Sequence, residues 1–87
     1  MTYARFEDTP AWQAAARLAV EVYLLVEDRN FGKSGDLRNQ LQRAALSVSN
    51  NIAEGFEQGS TASLIAYLYI ARGSAGEVRS ALRTCAK

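Results

Sequence analysis

Two carboxylates and a row of guanidiniums are the residues of this 87-residue chain whose types and spacing invite chemistry. Glu54 lies where a helical pattern ends, at the end of the helix macrodipole that disfavours a negative charge. Glu77 falls among small and apolar residues on a second helix. A pair of carboxylates can share general acid–base work. Here the pair stands without a histidine, without a glycine-rich phosphate loop and with one cysteine in the whole chain. A reactive site needs a nucleophile, a proton acceptor and a stabiliser of developing charge. No catalytic residue, cofactor or metal is therefore assigned, and the protein reads as no enzyme. The plainer role for Glu54 and Glu77 is to hold a helix or a neighbouring subunit in register through a cation, with Arg17, Arg38 and Arg43 as candidates.

The cations are ordered too. Arg72, Arg79, Arg83 and Lys87 recur at spacings of seven, four and four, on one narrow stripe of a helix that includes no acid. Such a row can follow a phosphate backbone, each contact adding salt-dependent affinity. The alternative is a solvated flank whose charges favour the helix C-terminus. Trp12, Tyr67 and Tyr69 are the aromatics that could stack on bases, Tyr69 standing toward the arginines; otherwise they are core or interface. Ser47, Ser49, Asn50 and Asn51 occupy helical positions although their side chains compete with helix backbone bonds. Asn50 and Asn51 are expected to bond across the bundle or to a ligand.

These residues need helices to place them. Thr9-Pro10 is a start signal, because Thr caps and Pro suits the first helical position. Asn30 to Gly35 is a loop, with Asp36 as a cap for the second helix. Gly55 and Gly59, with Ser60-Thr61 after them, mark a second break and restart. No strand-like alternation appears. The pattern predicts three helices in one domain, at roughly 10–28, 36–55 and 61–86.

Each helix has a readable face. Trp12, Ala15, Ala19, Val22 and Val26 form a seam on the first, and Leu37, Leu41, Ala45, Val48, Ile52 and Phe56 on the second. Gln40, Arg43, Ser47, Asn50, Asn51 and Glu54 make a polar stripe opposite. On the third, Leu64, Leu68, Ala71, Ala75, Val78 and Leu82 alternate spacings of four and three, the seam of a left-handed bundle. A second face of that helix holds Ile70, Gly73, Ser74 and Glu77. Gly73 and Gly76 each cost about 1 kcal/mol relative to Ala, which implies another backbone close by. More faces are apolar than one small bundle can cover, and this points to self-association.

Composition sets limits. At 48% hydrophobic and 22% charged the chain is globular, and its formal charge of +1 gives no global attraction to nucleic acid or membrane. The most apolar run, Leu18 to Val26, contains Glu21 and is far short of the ~20 residues of a membrane span. Eight of ten cations are arginine, the residue suited to bidentate pairing with carboxylates and phosphates. The lone thiol, Cys85, reads as a small buried hydrophobe in a cytoplasmic protein.

The run Arg43-Ala44-Ala45, Ser47 and Asn51-Ile52-Ala53-Glu54-Gly55-Phe56, together with Tyr67 through Glu77, closely resembles the bacterial four-helix-bundle family also called the 23S rRNA intervening-sequence proteins. Trp12-Gln13, Tyr23 and Gln40 match its first two helices. The resemblance implies an all-α, antiparallel up-and-down bundle that assembles into a cytoplasmic homopentamer. It also implies, through a related branch that accompanies diversity-generating retroelements, contact with a reverse transcriptase and with nucleic acid. Two features depart from the family. Ser49-Asn50 stands where Pro-Ser is usual, which implies a straighter second helix. The family's fourth helix has no counterpart in these 87 residues.

The expectation is a non-enzymatic helical bundle that oligomerises as a pentamer through the second faces of the first and third helices, with Arg43, Asn51, Glu54, Ile70, Gly73, Ser74 and Glu77 at the interface. Nucleic-acid binding through Arg72, Arg79, Arg83 and Lys87 is the alternative, and a protein-binding scaffold a further one.

Overall fold

The computed structural model describes residues 3–28 and 35–85, the last of these by its backbone alone. A 3₁₀ turn at Phe6–Asp8 leads into α1 (Pro10–Glu27), α2 (Gly35–Glu57) and α3 (Thr61–Cys85). Among the described residues there is no strand. The expected loop residues Asn30–Ser34, the side chain of Cys85, and Lys87 lie outside the described set.

The start signal at Thr9 works as the sequence implies. Its Oγ1 accepts from the Trp12 amide at 3.2 Å and donates to the Phe6 carbonyl at 2.6 Å, with Pro10 at the first helical position. The Phe6 ring meets Trp12 edge-on, 5.4 Å between centroids, an apolar clasp across the entry to α1. At the other junction Ser60 Oγ accepts from the Ser63 amide at the start of α3.

The end of α2 differs from expectation. Gly55 does not terminate the helix; it is buried within it, and α2 runs on to Glu57. Its missing side chain serves packing: a Cβ there would sit 2.6 Å from Tyr67 Cβ and 3.4 Å from Leu64 Cα. The chain reversal falls instead to Gly59, at φ +78°, a conformation that costs glycine little. Asp36 likewise lies inside the first turn of α2, not ahead of it.

The core follows α2. Its N-terminal half joins Val22 and Val26 of α1 with Val78 of α3 around Leu41, Ala44 and Ala45. Its C-terminal half joins Ala15 and Ala71 around Val48 and Ile52. This order makes α2 antiparallel to both neighbours, so α1 and α3 run the same way. No Cα of α1 comes within 8 Å of one in α3. Their side chains instead line an open groove with Leu18, Ala75, Val78 and Leu82 on its floor and Arg79 and Arg83 at its edge. The molecule is 43 Å long and 20 by 17 Å across, close to the length of α3 alone at about 1.5 Å per residue.

Leu68, which the spacing assigns to the core seam of the third helix, is exposed, as is Ile70. The seam is met by Ala71 and Val78, whose faces point at α2; Leu68 lies on the flank beyond its reach.

Candidate functional site

Helical phase brings the polar stripe of α2 beside the second face of α3. Gln40, Arg43, Ala44 and Ser47 form one wall of a shallow groove, and Ser74 and Glu77 the other. The two walls are bonded at one point, Ser47 Oγ to Ser74 Oγ at 2.8 Å. Asn51 Nδ2 donates to Ser47 Oγ at 2.9 Å and to the Ser47 carbonyl at 2.8 Å, one turn back on the same helix. With one lone pair engaged by Asn51, the Ser47 hydroxyl is held in place to meet Ser74. This half-buried chain of three residues fixes the register of α2 against α3. Asn50, beside it in sequence, is exposed.

The carboxylates stand differently. Glu54 and Glu77 are both exposed, and neither reaches a cation within ion-pair distance among the described residues. The Arg5 guanidinium does pair, with Glu7 and Asp8. Arg43 shares the groove with Glu77 without pairing to it. Glu54 lies beyond that groove. The arrangement offers no closed cavity and no paired acids, and no group of three potential metal ligands occurs among the described residues.

Gly73 and Gly76 have nothing within 4 Å of where a Cβ would lie. The close backbone approach expected at those positions is absent among the described residues and occurs at Gly55, which the sequence pattern marks only as a helix breaker. The signal for it is the position of Gly55 twelve residues before Tyr67, across a short turn. Gly73, Gly76 and Ile70 form an open strip on α3.

Arg72, Arg79 and Arg83 are exposed on the opposite flank of α3, about 10 Å and 6 Å apart along the axis. Among the described residues no acid lies within ion-pair distance of any of them. Of the three aromatics weighed for stacking, Trp12 is spent on Phe6 and the core, and Tyr67 packs at Gly55. Tyr69 is 66% exposed, on the side of the arginines.

Three antiparallel helices with a polar lock between two of them, and a cationic row on the outer flank of the third, define a helical-bundle protein. The family model described as 23S rRNA-intervening sequence protein matches residues 7–87. The chain belongs to that family. No curated protein and no solved structure gives a significant match. No helix among the described residues is long and apolar enough to cross a membrane.

Proposed function

We propose that this is a non-catalytic, cytoplasmic helical-bundle protein that assembles with copies of itself, as a pentamer, and acts through that assembly. The observation that carries the reading is the amount of apolar side chain left outside the core. Val20, Tyr23 and Leu24 on α1, and Ile65, Tyr69 and Ile70 on α3, are each 49–66% exposed. A soluble monomer rarely leaves patches of this kind uncovered. The open strip at Gly73 and Gly76, and Glu54 and Glu77, which pair with no cation among the described residues, are suited to receive another subunit. Sedimentation equilibrium tests it. A species near five times the chain mass of 9.5 kDa is expected, and a monomer at all concentrations would overturn it.

A second reading is supported by Arg72, Arg79 and Arg83, which meet no acid among the described residues, beside the exposed Tyr69. On it, the protein is a nucleic-acid-binding accessory to a reverse transcriptase or another ribonucleoprotein. Anisotropy of a labelled structured RNA and a duplex DNA, titrated at several salt concentrations, decides it. Binding that weakens steeply with salt supports phosphate contacts, and no binding at low salt removes the reading.

A further inference from the structure

Two exposed stripes, on different helices, carry the same pattern with complementary ends. On α1, Val20, Tyr23, Leu24 and Glu27 share the spacing i, i+3, i+4, i+7, and all four are exposed. On α3, Ile65, Leu68, Tyr69 and Arg72 have the identical spacing, and all four are exposed. Each stripe is three apolar side chains and then one charge, acidic on α1 and basic on α3. This spacing is the one by which two helices pack along a shallow left-handed crossing. The stripes do not meet within one chain, since no Cα of α1 lies within 8 Å of α3.

We infer that the α3 stripe of one copy docks on the α1 stripe of a second copy, the two helices parallel and Arg72 paired with Glu27. This rests on the self-assembly reading above and adds the contact that makes it. The direction comes from charge. In the parallel arrangement Val20 is level with Ile65, Tyr23 with Leu68, Leu24 with Tyr69 and Glu27 with Arg72. In the antiparallel one, setting Leu24 level with Ile65 and Val20 with Tyr69 brings Arg17 against Arg72, two like charges. Because α1 and α3 run the same way in each copy, parallel docking stacks neighbouring molecules side by side in one orientation. The contact uses two different surfaces, so it repeats from copy to copy and closes only as a ring. Arg72 then belongs to the assembly, and Arg79 and Arg83 remain free on its surface.

The test is a charge swap read by sedimentation equilibrium. Arg72→Glu and Glu27→Arg are each expected to weaken assembly about tenfold or more, since like charges then face one another. The double variant Glu27→Arg/Arg72→Glu is expected to restore it. A wild-type protein that assembles while both single variants assemble equally well would overturn the contact and leave self-assembly standing. Single variants that weaken assembly without rescue by the swap would overturn the pairing. A monomeric wild type would overturn both readings. A second probe covers a charge variant that loses helicity: Tyr23→Cys/Leu68→Cys in a Cys85→Ser background. A disulfide needs Cα atoms within about 7 Å, which the chain does not provide within itself, so oxidation should give chains linked to one another. Oxidised protein that stays a single chain on denaturing gels would overturn the contact.

Discussion

Replacing Gly55 by Ala sets two opposed effects against each other. In a helix interior the change is worth about 1 kcal/mol in favour of alanine. The new Cβ, however, lands 2.6 Å from Tyr67 Cβ and 3.4 Å from Leu64 Cα. Carbon atoms sit comfortably at about 3.5–4.0 Å, so the first contact is short by roughly 1 Å. Tyr67 Cβ is bonded to the backbone and cannot rotate away; α3 itself must shift. Overpacking of this kind costs about 1–3 kcal/mol. The steric cost exceeds the propensity gain over most of that range, and the net effect is about 1 kcal/mol of lost stability, or a fall in Tm of about 4–8 °C for a chain of this size. Gly76→Ala carries the same gain with nothing within 4 Å inside the chain; in protein dilute enough to be monomeric its Tm is expected to rise by about 4–8 °C. Far-UV circular dichroism melts of both variants and the wild type at that dilution measure the difference, assembly being concentration-dependent. If Gly55→Ala melted above the wild type by the full helix-propensity gain, the close crossing of α2 and α3 at that residue would be refuted.

Thr9→Ala removes the cap of α1 and should cost about 1 kcal/mol, seen as a lower denaturant midpoint with an unchanged slope. A double-mutant cycle on Ser47→Ala and Ser74→Ala should return a coupling of about 0.5–1.5 kcal/mol; additive single effects would mean the two hydroxyls do not act together. Gly73→Leu places a large side chain on the open strip of α3 and should lower the assembled mass while leaving helical content intact. An unchanged oligomer would remove that strip from the interface.

Much of the fold is legible in the sequence because its signals are local. Thr9-Pro10 and Ser60-Thr61 place helix starts by satisfying amides within three residues, and helical period alone orients Val22, Val26, Leu41, Val48 and Val78. What the chain does not disclose depends on distances between helices. A glycine in a helical pattern reads the same whether it ends the helix or, like Gly55, lets a neighbour approach. Gly73 and Gly76 carry the stronger small-residue pattern and are open, because helical phase turns them away from α2. Leu68 fits the seam spacing, yet α2 is too narrow to cover both flanks of α3. The site is legible in composition more than in contact. Ser74 and Asn51 stand out from their helical neighbours, while the hydroxyl joining them, that of Ser47, is visible only as part of a polar stripe. The ion partners expected for Glu54 and Glu77 do not occur among the described residues, where no guanidinium is brought close enough.

The central place of α2 has a consequence for how the chain folds. Among the described residues, backbone contacts between the three α-helices join only sequence neighbours, α1 with α2 and α2 with α3, while the Phe6–Asp8 turn also reaches α2. Contacts so close along the chain put folding in the microsecond-to-millisecond regime of low contact order. The two interfaces are nonetheless coupled through side chains, since Val22 and Val26 of α1 and Val78 of α3 share one cluster around Leu41, Ala44 and Ala45. Detaching either outer helix therefore strips apolar side chains that the other packs against, and the remaining hairpin keeps only part of its packing.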